Sequence, residues 1–220
     1  LDFGQRYHTD PDYRSAQWKG ILRWLHGQFG QWGCGSADPA DYYVVSTLGP
    51  VHMLSWLFGS QVVYSPIQFP ETPVYPMADL NDLPAFDRHA PIVQKRTAQL
   101  VAATEDLLDK HGDQVVVPFY LPELDGINDL ANTHCPLTIA YKLFGERILL
   151  DIFDNPGGVA HVFGQIATLT LELSETFRRL SGQSMPRHVL MSACSACFIS
   201  PPQWEEFVMP LIEDYCRHRP

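Results

Sequence analysis

Three short stretches of the chain carry residue types able to do chemistry. The first holds Tyr120, Glu123 and Asp125. Two carboxyls this close can work as general acid and base when burial raises the pKa of one of them. Loop carboxylates that are only solvated, or that cap a helix, produce the same pattern. The second places His134 directly before Cys135 and Pro136. A histidine there can titrate near neutrality and move a proton, or it can be a hydrogen-bonded structural residue. The third, Cys194-Ser195-Ala196-Cys197 followed by Cys216-Arg217-His218, has C-x2-C…C-x-H spacing, and four such ligands can hold zinc tetrahedrally. Against zinc, the second pair ends a later helix, some ~20 Å along it at 1.5 Å rise per residue, and free cysteines are often simply buried small hydrophobes. The catalytic candidates are thus Glu123, Asp125 and His134. Tyr120, Cys135, Ser192 and Ser195 are the candidates for binding substrate, and Cys194 and Cys197 those for metal.

These residues must be positioned by the elements around them. Apolar periodicity predicts helices over Pro91 to His111 and Gly157 to Leu180. A further helix over Asp12 to Phe29 places Trp18, Ile21, Leu22, Leu25 and Phe29 on one face. Between them lie short β-rich runs at Tyr42 to Val45, Gln61 to Tyr64, Val115 to Val117 and His188 to Met191. Alternating strands and helices, with near-continuous apolar strands, argue for a parallel sheet covered by helices. The span from Ser65 to Pro91 has prolines at 66, 70, 73, 76, 84 and 91, so it reads as a long loop rather than a helix or central strand. A faint echo at an offset of 86 residues aligns Thr47, Pro50, Leu57-Phe58-Gly59 and Pro70 with Thr133, Pro136, Leu143-Phe144-Gly145 and Pro156. Both copies suit a strand end, proline in the first helical turn and glycine closing a short helix, and similar βα units explain them without duplication.

Composition narrows the function classes. With 45% hydrophobic and 12% aromatic residues in 220, one domain with a real core is expected. No run approaches the length of a membrane span, and no targeting peptide is visible in a chain that opens Leu1-Asp2-Phe3. A formal charge of -10 repels polyanions, and the basic pairs Lys95-Arg96 and Arg178-Arg179 fall in helical patterns, so nucleic acid is not an expected partner. Five cysteines, an odd number in a chain that needs no stapling, fit a reducing cytoplasm. Tryptophans 18, 24, 32, 56 and 204 could form a platform for a planar ligand, but Trp18, Trp24 and Trp56 lie in helical patterns and read as core or interface packing. Gly30-Gln-Trp-Gly33-Cys-Gly35 lacks the preceding strand and spacing of a nucleotide-binding loop.

Residues Asn132 to Pro156, with Pro136-Leu-Thr-Ile-Ala-Tyr-Lys-Leu-Phe-Gly145 and Leu149-Leu-Asp151, resemble a signature stretch of the uroporphyrinogen decarboxylase superfamily. Ile199-Ser-Pro-Pro-Gln-Trp-Glu-Glu-Phe-Val-Met-Pro210 resembles that family's segment I/L-S-P-x-x-F-x-E-F-x-x-P. The resemblance implies an α/β fold: a partial (β/α)8 TIM barrel, roughly its first half, with an N-terminal helical extension. It makes the chain a single domain over 1–220, with 1–40 as the extension and 41–220 as the half-barrel. In such a barrel reactive groups sit past strand ends, which directs attention to the loops after Val117, Leu130 and Met191.

The family's two branches imply different chemistry. The decarboxylase branch needs no cofactor and holds its substrate with arginines and an aspartate. Here its arginine-rich first-strand motif is absent, Met191-Ser192-Ala193-Cys194-Ser195 stands where it has F-D-S, and Arg6, Arg147 and Arg187 follow no strand in the expected way. The other branch resembles corrinoid-dependent methyltransferases, which use zinc to activate a thiol, and the Pro136 stretch is nearer to it. Zinc and a corrinoid are accordingly the implied cofactors, and a small molecule or tetrapyrrole the implied ligand. A half-barrel leaves an open sheet edge, so a homodimer or a partner completing the barrel is expected.

Overall fold

The computed structural model describes residues 4–67, 70–73, 75–77, 80–121, 130–183 and 188–217. The chain begins with helix α1 (Gln5–Thr9) and the long α2 (Pro11–Phe29). Strand β1 (Tyr43–Val44) leads to α3 (Pro50–Leu57), and α4 (Pro91–His111) returns the chain to β2 (Val115–Val116). After β3 (Tyr120–Leu121) and β4 (Leu130–His134) come α5 (Pro136–Phe144), α6 (Arg147–Asp154) and α7 (Pro156–Ser181). Strand β5 (His188–Ser192) precedes α8 (Pro201–Gln203), a π-helical turn (Trp204–Val208) and α9 (Met209–Arg217).

Proline opens α2, α3, α4, α5, α7 and α8. It suits that place because the first helical N–H has no intrahelical acceptor and proline's φ is already helical. Glycine closes the two echoing helices: Gly59 follows α3 at φ 117° and Gly145 follows α5 at φ 69°, backbone that a side chain resists.

The strands form two small sheets. In one, β1 pairs parallel to β2 with Tyr43 opposite Val115. In the other, the order is β3-β4-β5, with β4 and β5 parallel over Leu130–His134 and His188–Ser192. Parallel neighbours need a crossover, supplied by α3 and α4 for the first pair and by α5, α6 and α7 for the second. Helix α5 lies at the centre: Leu137, Ile139, Ala140 and Leu143 have no exposed surface. It packs against α3, α6 and α7, and α7 presents Val159, Val162, Phe163, Ile166, Leu173 and Phe177 at helical spacing. Phe58, Phe86 and Phe144 join α3 to α5 through ring contacts of 4.6 and 5.6 Å.

The helices expected at Asp12 to Phe29, Pro91 to His111 and Gly157 to Leu180 are present within a residue at each end. Four expectations change. The architecture is α/β with small parallel sheets, and among the described residues these do not join into a closed barrel. Strand β3 runs antiparallel to β4, so the sheet is mixed. Gln61 to Tyr64 is not a strand: Val63 makes an isolated bridge to Glu71, and among the described residues the proline-rich chain that follows offers no partner strand. The tryptophans of α2 are not core residues: on the face that carries Trp18, burial is complete only at Arg14 and Ser15, Ile21, Leu22 and Leu25 are half-buried, and Trp18 is 38% and Trp24 60% exposed. Among the described residues no helix is long and apolar enough to cross a membrane.

Candidate functional site

Chain leaving the C-terminal ends of the parallel strands lines two places. Past β1 and β2, a cleft of about 200 Å³ is bounded by Tyr42, Thr47, Met53, Val117 and Phe119. Phe119 adopts φ 68°, left-handed backbone rare for a bulky residue, and is buried with its ring 6.3 Å from that of Phe177. Arg14, on α2, donates to the carbonyls of Tyr7 at 3.0 Å, of His8 at 3.1 Å and of Val44, itself a residue that lines the cleft. Burial lowers the Arg14 pKa, yet guanidinium keeps its proton, so a charged group is fixed here on backbone acceptors. Thr47, at the cleft edge, bonds His8 Nδ1 at 2.7 Å, and His8 stacks on Tyr64. Burial also raises the Tyr7 and Tyr42 phenols, which stay neutral donors.

The second place is the corner where β4 turns into α5 beside the end of β5. The ladder continues one residue past β4, with Cys135 N donating to the carbonyl of Ser192, the last residue of β5, at 3.0 Å. Cys135 is fully buried, and its sulfur lies 3.3 Å from Thr138 Oγ1. Burial pushes its thiol pKa up, against the opposing pull of Thr138 and nearby backbone N–H groups, so it is a neutral thiol rather than a nucleophile. Thr138 Oγ1 also accepts from Ser195 N at 3.3 Å, which ties the turn after β5 to the first turn of α5.

His134 is the last residue of β4 itself, not part of a following loop. Its ring is partly buried, and Nδ1 is a buried atom with no hydrogen-bond partner. Burial first, and the charge of His52 second, lower its pKa. His52, on α3, is lowered by burial and by Lys142, with Glu71 opposing, and bonds Thr72 Oγ1 at 3.0 Å. The His134 imidazole is therefore neutral at pH 7 and able to accept a proton. A gap of about 10 Å³ beside it, bounded by Thr133, Thr170, Met191 and Tyr215, has room for little more than a water.

Of the residues singled out from the sequence, His134, Cys135, Ser192, Cys194 and Ser195 come together at this corner. Ser192 ends β5 with a partly exposed side chain, and Ser195 is buried. Cys194 and Cys197 are exposed on the turn that follows. Tyr120 lies in β3, and Glu123, Asp125 and His218 fall outside the described residues. Among the described residues, no group of three or more His, Cys, Asp or Glu is disposed to hold a metal ion. Arg14, His52 and Phe119 escaped the sequence reading. His52 had a signal in the echo, since it occupies the place of Thr138 in the second copy.

No protein-family model matches the chain, and no curated protein matches it. Among solved structures, a methyltransferase from Methanosarcina mazei superposes with a TM-score of 0.56 at 13% identity, over 79% of this chain and 47% of that one. The chain shares that structure's fold. It spans about half the length of the methyltransferase.

Proposed function

We propose that this chain is a uroporphyrinogen-decarboxylase-like half-barrel linked to corrinoid-dependent methyl transfer. The observation that carries the reading is the β4–α5 corner: strand, Cys135, Pro136 and helix lie beside the parallel end of β5, in a fold shared with a methyltransferase. In this reading the cleft past β1 and β2 binds a small, largely apolar substrate, with the Tyr42 and Thr47 hydroxyls to orient it. His134, neutral and short of a partner at Nδ1, stands apart from that cleft at the β4–α5 corner, where the gap beside it gives it a water-sized molecule as its proton donor.

The implied cofactors fit less well. The described residues offer no metal-ligand group, and Cys194 and Cys197 have no third ligand among them. A cleft of about 200 Å³ is smaller than the pockets that enclose drug-sized ligands, so it does not enclose a tetrapyrrole.

Metal analysis of the purified protein, with spectral titration by a cobalamin and by a porphyrin, tests the proposal. A cobalamin-dependent spectral change supports methyl transfer, porphyrin binding alone points to the decarboxylase branch, and binding of neither refutes both. The narrowness of the gap beside His134, with no metal-ligand group among the described residues, favours a second reading, a non-catalytic module that binds a second copy or a partner. Mass in solution separates these, since a stable monomer contradicts the homodimer.

A further inference from the structure

We propose that Cys194 and Cys197 are a thiol–disulfide redox site, two thiols across one turn that close reversibly into a disulfide by exchange with small disulfides. This does not depend on the methyl-transfer reading. The turn after β5 is tightly wound: Ala196 N donates to Ala193 O at 3.0 Å and Phe198 N to Ser195 O at 3.1 Å. Residues three apart in such winding lie nearly one above the other, with Cα atoms closer than about 7 Å, and disulfides bridge about 4.4 to 6.8 Å. The Cys197 side chain is turned back along the turn toward Cys194, its thiol donating to the Cys194 carbonyl at 3.7 Å.

Access and anchoring agree with this assignment. Both cysteines are exposed, so an oxidant reaches either sulfur, whereas Cys135 is fully buried. Between them Ser195 is 4% exposed and its N–H is held by Thr138, so the backbone is pinned while the two cysteine side chains stand exposed. Little chain entropy remains to be lost on closure. Because Thr138 also contacts the Cys135 sulfur, the redox state of the turn is coupled to the corner of the candidate site.

The exchange balances. One cysteine thiolate attacks a sulfur of oxidised glutathione, forming a mixed disulfide and expelling one glutathione thiolate. The second cysteine thiolate attacks the protein sulfur of that mixed disulfide and expels the other. Two electrons pass from the protein to glutathione, and the two protons lost by the cysteines are taken up by the two departing thiolates.

The test is oxidation of the full chain by glutathione disulfide at about 0.1 mM, with peptide mapping under non-reducing conditions. An intramolecular thiol acts at an effective concentration in the millimolar range, so the Cys194–Cys197 linkage is expected in about tenfold or greater excess over glutathione adducts at either position. The Cys34→Ser/Cys216→Ser variant, lacking the other exposed cysteines, retains the linkage, and Cys197→Ser accumulates a mixed disulfide at Cys194. Glutathione adducts persisting at both positions of the unaltered chain, or linkage through Cys34 or Cys216 instead, overturns the proposal.

Discussion

The hydroxyl of Thr138 lies 3.3 Å from the sulfur of Cys135, inside a corner where neither residue is exposed beyond 8%. The same oxygen accepts from Ser195 N, so one side chain joins the start of α5 to the turn after β5. Replacing it by the near-isosteric valine (Thr138→Val) strands a buried N–H. The expected loss is about 1 to 2 kcal/mol, read from the urea midpoint at an unchanged slope. Retention of full stability would show that Ser195 N has another acceptor.

Stability should fall with acid through His52 and His134. Both have folded-state pKa values held below the usual histidine value of 6.5 by burial. In acid the unfolded chain therefore takes up protons at these positions before the folded chain does. Their contribution is complete above about pH 6.5 and declines as pH drops toward the lower folded values. The carboxyls of Asp10 and Asp41, lowered from 3.8 chiefly by the Tyr13 N–H and by Lys19, act only in a more acidic window. Denaturant titrations at pH 7.5 and 5.5 should differ for the unaltered chain and converge for His52→Gln/His134→Gln. Equal slopes in both proteins would sink the assignment.

Arg96 closes the C-terminal end of α3. Its guanidinium donates to the carbonyls of Trp56 and of Ser60, the latter at 3.0 Å, and lies 5.2 Å from the centre of the Trp56 ring. Carbonyls at a helix end lack intrahelical donors and carry partial negative charge. Arg96→Met keeps the apolar stem but removes the donors, for an expected loss of about 1 to 2 kcal/mol in thermal unfolding. Arg96→Lys should restore only part of it.

Glycine substitutions should divide by backbone. At Gly145, φ is 69° and an added Cβ would come within 3.2 Å of the Tyr75 ring, so Gly145→Ala is expected to cost about 1 to 2 kcal/mol. Within α7, Gly164 has open space around the same position, and Gly164→Ala is expected to stabilise by about 0.5 to 1 kcal/mol. Opposite shifts in melting temperature check the pair.

Which features could be read before any coordinates follows from where their information resides. The ends of α4 and α7 were legible because proline marks the first turn and the apolar period persists over 21 and 26 residues. Strand β4 was not legible from β-propensity, since Leu130-Ala131-Asn132-Thr133-His134 is mostly polar or small; the echo around Pro136 and the family resemblance placed a strand end there. Val62-Val63-Tyr64 has the propensity but no partner strand among the described residues, and propensity cannot supply one. Arg14 reads in isolation as a solvated helix residue, and its burial arises from the approach of α2 to Val44, thirty residues away. Within the candidate site, His134 and Cys135 stood out as residue types, but Thr138 gains its role only when the turn after β5 is folded against it.

The prolines that open the helices also limit how the gene can change in length. In α3, α4 and α5 no side chain caps the first turn, so the proline ring itself marks where winding begins. A single codon inserted just after Pro136 would rotate the rest of α5 by about 100°. That would swing Lys142 toward the space filled by Leu143. Relatives of this chain should therefore keep the spacing from Pro136 to Gly145 constant and place their insertions elsewhere.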